Sequence, residues 1–191
     1  MGCDIHLYLE RRSKYAPRRW VNADVWVEDE YLEGECRPEF RCVHTYSDRN
    51  YDVFGILAGV REPDWPSIDA PRGMPGDVSL PTWQDWQSEG GHTPSWLTLK
   101  EIKAYDWATA IMKRAFTHPD EAKRVNETGL RPDVSAKWAH SSMGWVEVDW
   151  QEKASEAAKE FLKLVVPKLE EIAQMHGLTE EEVRIVFWFD S

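Results

Sequence analysis

Between Glu62 and Trp96 the chain carries six of its 11 prolines, four glycines and four tryptophans (Trp65, Trp83, Trp86 and Trp96), with neither helical nor strand periodicity. A connection this long is uncommon inside a compact domain and is usually a binding loop or lid when it is not a disordered linker. Disordered linkers are poor in aromatic residues. The segment is therefore expected to be an ordered loop that covers something. The 191 residues suit one domain, 1–191, with residues 62–97 as its long pocket-forming loop.

Around that segment the pattern predicts an α+β fold, with a central sheet containing the N- and C-terminal strands and helices packed on it. From Cys3 to Glu10 the chain alternates, with Ile5, Leu7 and Leu9 on one side and Asp4, His6, Tyr8 and Glu10 on the other, as in a half-buried strand. A second strand is expected over Arg18 to Glu28 and a short third over Phe40 to Tyr46. Tyr51 to Val60 reads as a short helix, although Gly55 and Gly59 weaken it. Thr98 and Glu101 have the spacing of a capping box, opening a helix expected to continue to Phe116. Only a weak strand is expected at Trp145 to Trp150, after a turn at Ser141 to Gly144. Gln151 to His176 forms an amphipathic helix in which Pro167 should introduce a bend or a break. Val183 to Asp190 is apolar on both faces, which fits an interior strand.

The formal charge of −11, from 34 Asp and Glu against 23 Lys and Arg, disfavours duplex nucleic acid and anionic membranes as partners. Cys3, Cys36 and Cys42 are odd in number and lack paired CxxC spacing, so reduced thiols and a cytoplasmic location are expected. The opening MGCDIHLYLERR has no basic stretch before an apolar one, and no apolar run reaches 18 residues, so neither secretion nor membrane spanning is expected.

Asp4 and His6, one residue apart on a strand, leave the same face about 7 Å apart along the chain. Such a pair can share a divalent metal ion or act as a carboxylate-supported base. It is also the first signature of calcineurin-like metallophosphoesterases, but Gly76-Asp77-Val78-Ser79 and Gly90-Gly91-His92 lack that family's remaining signatures. The bland alternative is that Asp4 and His6 are polar residues on an edge strand. His44-Thr45-Tyr46-Ser47 and His92-Thr93-Pro94-Ser95 are similar to the paired His-x-Thr/Ser elements of 2H phosphoesterases, although His92 falls in a Pro/Gly loop rather than a matched strand. His92 is a candidate acid or base on that loop, against the alternative of a solvated histidine. Arg49, Asn50, Tyr51 and Asp52 precede an apolar helix, where Arg49 can clamp a phosphate and Asn50 or Asp52 can read a base or ribose, unless Asp48 or Asn50 simply caps the helix. Arg72, Asp77 and Ser79 form a similar turn-rich group that either binds ligand or pairs internally.

The set Met1-Gly2-Cys3-Asp4-Ile5-His6, Arg49-Asn50-Tyr51-Asp52, Arg72-Gly73-Met74-Pro75-Gly76-Asp77-Val78-Ser79, His92 with Ser95-Trp96-Leu97-Thr98, and Phe187-Trp188-Phe189-Asp190 resembles a family of small uncharacterised proteins of bacteriophage and bacterial genomes. The resemblance implies a phage context, in which small proteins with ligand pockets often counter host defence by destroying or sequestering nucleotide signals. The expected activity is a hydrolase that cleaves a phosphodiester in a small cyclic nucleotide or RNA-like signal, inside an infected bacterium if phage-encoded. In a metal-free version His6 removes a proton, His92 protonates the leaving oxygen, and Arg49 and Arg72 neutralise the phosphoryl oxygens. Ser95 belongs to the same substrate-binding set, and Trp83, Trp86 and Trp96 stack on bases. In a metal version Asp4, His6 and either Asp52 or His92 hold a divalent ion that activates water. The alternatives are a non-catalytic nucleotide sponge and a protein inhibitor of a host factor. Homo-oligomerisation is compatible with all three.

Overall fold

The computed structural model describes residues 2–16, 19–28, 40–137 and 144–190. Arg18, Cys36 and residues 141–143 of the expected turn lie outside the described residues. The chain divides into two compact units, Met1–Tyr105 with Lys159–Ser191, and Asp106–Ala158.

The first unit is built on a four-stranded antiparallel sheet of order β2-β1-β8-β5, comprising β1 (Asp4–Arg12), β2 (Trp20–Asn22), β5 (His92–Thr98) and β8 (Val183–Asp190). The two terminal strands are neighbours, with Asp4 opposite Asp190, His6 opposite Trp188 and Leu7 opposite Phe187. Because residues opposite one another in an antiparallel pair share a face, Ile5, Leu7 and Leu9 join Ile185, Phe187 and Phe189 on one side. Asp4, His6, Tyr8 and Glu10 join Arg184, Val186, Trp188 and Asp190 on the other. Val183 through Phe189 are all buried, as an interior strand requires. Each such large apolar side chain contributes about 1.5–3 kcal/mol relative to exposure.

Helices cover both faces of this sheet. On the apolar face, α1 (Tyr51–Ala58) places Phe54 against Phe189 with ring centres 4.9 Å apart. The Asn50 side chain accepts from the Asp52 and Val53 backbone N–H groups to start α1, and Gly59 ends it at φ 68°. The long helix α6 (Lys159–His176) lies against β1 and β8 and runs continuously through Pro167. On the opposite face sit the two-stranded ribbon of β3 (Val25–Glu28) and β4 (Phe40–Val43), through the His44–Tyr8 contact, and α2 (Leu80–Glu89), through Trp86 and Asp85. The expected second strand is thus two strands, broken where Asp24 accepts from the Leu9 N–H.

Residues 62–97 do not form one loop. Within them lie α2, entered through Pro81 in its first turn, and β5. Helix α2 has ten residues, nearly three turns, and its inner face is carried by Thr82, Asp85 and Trp86, so no apolar repeat betrays it. The segment nevertheless folds back over the first strand. Glu10 Oε1 accepts from the Ser79 N–H (2.8 Å) and Tyr8 Oη donates to Asp85 (2.9 Å).

The capping box of Thr98 and Glu101 opens α3 (Leu99–Ala104), which stops well short of Phe116. The Asp106 side chain takes the Ala108 N–H (3.1 Å) in a tight turn, and the chain leaves it as a strand. This second unit holds β6 (Ala110–Thr117), α4 (Pro119–Thr128), β7 (Val146–Lys153) and α5 (Ala154–Ala157). Strands β6 and β7 pair over their full length, and Val148, Trp150 and Glu152 alternate inward with Ala115 as α4 supplies Ala122 and Val125. The expected start of the long helix at Gln151 is therefore the end of a strand.

Candidate functional site

Four charged or titratable side chains meet where β1 begins and β8 ends. Asp190 Oδ1 accepts from the Asp4 N–H (3.1 Å), and Asp190 Oδ2 lies 3.2 Å from His6 Nε2. Asp4 holds Arg49 through two short bonds, Nε to Oδ1 and Nη2 to Oδ2, both 2.6 Å. The Arg49 guanidinium keeps the Asp4 carboxyl below the ordinary carboxylate range, chiefly through these hydrogen bonds. Tyr51 closes the group from α1, its hydroxyl accepting from the Cys3 N–H (3.2 Å). Gly2 admits the guanidinium, because a Cβ there would fall 2.5 Å from Arg49 Nη1.

With Nε2 turned to the Asp190 carboxyl at 3.2 Å, a neutral imidazole that donates there has its lone pair on Nδ1. Trp188 stacks on the imidazole at 5.3 Å and 7° and on Tyr8 at 5.1 Å. His6 is thus held by a carboxylate and an indole, yet its side chain is 18% exposed. Arg49 is 54% exposed. Its side-on pairing with Asp4 uses the Nε–Nη2 edge and directs the Nη1–Nη2 edge elsewhere, which suits an anion.

Other expected site residues have different duties. His92 pairs with Phe189, and its ring lies 6.1 Å from that of Phe189, so it leaves the sheet on the face opposite His6. His92 Nδ1 lies 2.9 Å from Thr93 Oγ1. The expected acid–base couple of His6 and His92 is not assembled. Arg72 is spent inside the fold: Nε and Nη2 on Asp69 (2.8 and 2.5 Å), Nη2 and Nη1 on Glu101 (2.6 and 3.2 Å), and its plane 4.5 Å over Trp96. Ser95 Oγ accepts from the Arg72 N–H, and Ser79 is buried against Glu10 and Thr82. Asp77 takes Arg184 at 3.0 Å. Thus Arg72, Ser95 and Trp96 fasten the covering segment, and Asp77 and Ser79 do so while bordering one of its grooves. Asn50 is the cap of α1, and Asp52 accepts from Trp65 Nε1 (2.8 Å).

The same placements bear on a metal ion. Among the described residues no group of three His, Cys, Asp or Glu side chains is placed to hold one. Asp4 is turned to Arg49, Asp52 to Trp65, and His92 lies across the sheet, so the donor set expected for a divalent ion is not brought together.

Sequence reasoning about chemistry passed over Asp190, Trp188, Tyr8 and Asp85. A signal existed for the first: Asp190 is the lone acid of its strand, closing the apolar run Ile185 to Phe189 at the end where side chains regain solvent. Tyr8 continues the Asp4, His6 series at two-residue spacing. Its hydroxyl is pushed far up by burial and then by Asp85, so it stays protonated and donates.

Two grooves flank the covering segment. One of about 680 Å³ is bordered by Trp20, Asn22, Trp26 and Asp77, the other of about 580 Å³ by Met74, Pro75, Trp83 and Trp86, and both touch Val78 and Leu80. Comparison with protein-family models, with curated proteins and with solved structures yields no match. Among the described residues no helix is long and apolar enough to cross a membrane.

Proposed function

We propose that this protein is a metal-independent phosphodiesterase that cleaves a small nucleotide at the His6 site. The observation that carries the reading is the Asp190–His6 contact beside an Asp4-held Arg49, which joins an oriented base to an anion-binding group. His6 Nδ1 takes the proton from a ribose hydroxyl or a water as that oxygen bonds to phosphorus. The bond from phosphorus to the leaving oxygen breaks, and the imidazolium returns the proton to that oxygen. Asp190 stabilises the imidazolium while it exists. Arg49 neutralises charge on the phosphoryl oxygens. One imidazole thus does the work that the sequence divided between His6 and His92.

The reading keeps the phage counter-defence setting that the resemblance implies and the cytoplasmic location expected from the cysteines, with a cyclic nucleotide or RNA-like signal as substrate. Incubation with cyclic di- and trinucleotides, with and without EDTA, followed by separation of the products tests it. Cleavage that persists in EDTA is expected. Intact nucleotide that stays bound to the protein would make it a sponge, and EDTA-sensitive cleavage would require a metal ion.

A further inference from the structure

We infer that the hairpin joining β1 to β2 is a binding site for single-stranded nucleic acid, with cations for its phosphates and an open tyrosine ring for one base. The inference is independent of the phosphodiesterase reading, because the hairpin caps the far end of β1, where Arg11 stands about 17 Å of strand away from His6. From Arg11 to Arg19 the chain carries five Lys or Arg and no Asp or Glu, although acids outnumber these bases 34 to 23 overall. Arg18 lies outside the described residues, and Arg12 is engaged by the fold, 3.5 Å from Asp77 and 4.2 Å over Trp20. Arg11 gives Nη1 to the Arg12 carbonyl (3.2 Å). Among the described residues neither Arg11 nor Lys14 nor Arg19 pairs with a carboxylate, whereas Arg49, Arg72, Arg114, Arg124 and Arg184 are all held by acids.

The hairpin gathers these cations. The Ser13 N–H donates to the Arg19 carbonyl (2.9 Å), continuing the ladder in which Arg11 lies opposite Val21. Arg11 and Arg19 are thus diagonal neighbours on one face, about 7–8 Å apart, a spacing at which two side chains can take successive phosphates of one strand. His176, at the end of α6, has its pKa lowered first by burial and then by the charges of Arg11 and Lys14, which therefore stand together beside it. The tip holds Tyr15 outward: Ser13 Oγ accepts from the Tyr15 and Ala16 N–H groups (3.3 and 3.2 Å), and the Arg19 N–H donates to the Ala16 carbonyl (2.7 Å). Tyr15 is 100% exposed. An aromatic ring set among cations is the combination by which sequence-tolerant single-strand sites stack a base and track the backbone. Charge selects a strand over a duplex or an anionic membrane. At physiological salt a charge acts over about 8 Å, so a short strand lying on the hairpin meets its cations alone. An extended anionic surface would also meet the acidic remainder of a chain with net charge −11.

Fluorescence anisotropy with a short labelled oligouridylate, the same strand annealed to oligoadenylate, and phosphatidylserine vesicles as competitor tests the site. The single strand is expected to bind at low salt and to weaken as salt rises. Lys14→Gln combined with Arg19→Gln, both exposed side chains, should reduce the slope of log affinity against log salt by about 1.4, or about 0.7 for each lost phosphate contact. Tyr15→Ala should weaken binding about fivefold to a hundredfold at unchanged slope, and Tyr15→Phe should restore it. Lys159→Gln, which removes an exposed cation elsewhere, should leave binding as it is. Strand binding that is absent at low salt, or undiminished in the double variant, would overturn the inference. So would duplex or vesicle binding of equal strength that the double variant abolishes.

Discussion

Asp24 shows how one side chain ties stability to pH. Its Oδ2 accepts from the Leu9 N–H (2.8 Å) and from Asn22 Nδ2 (3.1 Å), whereas Oδ1 is buried without a hydrogen-bond partner among the described residues. Burial pushes the carboxyl up from its ordinary 3.8 to about 7, more than the two hydrogen bonds lower it. Between those values the folded chain keeps a proton that the unfolded chain has released, so stability falls as pH rises through that window and the loss is complete above it. A displacement of this size is worth about 4 kcal/mol. Asp24→Asn retains an oxygen for Leu9 and has no charge to bury. Urea unfolding should therefore show Asp24→Asn more stable than wild type at pH 8 and close to it at pH 4. Equal midpoints at pH 8 would contradict this account. Cys42, nearby in charge terms, is pushed up to about 12 chiefly by burial, so it is a thiol and not a nucleophile at neutral pH.

At the scale of elements, the covering segment is fastened by a buried ion network. Arg184, 2% exposed, lies 2.7 Å from fully buried Glu10 and 3.0 Å from Asp77, with its guanidinium 3.9 Å over Trp20. Removing one partner of such a pair strands a buried charge and costs about 3–5 kcal/mol. Glu10→Ala, which also strips the acceptor from the Ser79 N–H, should lose that much in urea denaturation, and a loss below about 1 kcal/mol would sink the fastening role. What the sequence disclosed here follows from periodicity. Ile5, Leu7 and Leu9 announced β1, the apolar run of Val183 to Phe189 announced an interior strand, and Thr98 with Glu101 announced the cap of α3. Hidden were α2, whose inner face carries Thr82 and Asp85 beside Trp86 rather than an apolar stripe, and β6, because β-pairing with β7 overrides local preference after the Asp106 turn. The Arg184–Glu10 pair was also hidden, since its partners are 174 positions apart and no local pattern links them.

Across the whole molecule, the architecture brings the first and last strands side by side, and that adjacency joins Asp190 to Asp4 and His6. The bidentate pairing of Asp4 with Arg49 was not legible, whereas Asp4 and His6 were legible as a pair because they sit in a short local motif. Their shared partner Asp190 was not, because only the β1–β8 register places it opposite Asp4. The same register separates the histidines, as His6 faces Trp188 while His92 faces Phe189. Gly91 lets β5 approach closely, since a Cβ there would lie 2.5 Å from the Phe189 carbonyl oxygen. The most direct measurement is the rate of cleavage of one cyclic dinucleotide by wild type, His6→Ala and His92→Ala under single-turnover conditions. The account predicts a loss of about a hundredfold or more in His6→Ala and a rate close to wild type in His92→Ala. Equal losses in both variants, or undiminished cleavage by His6→Ala, would contradict it.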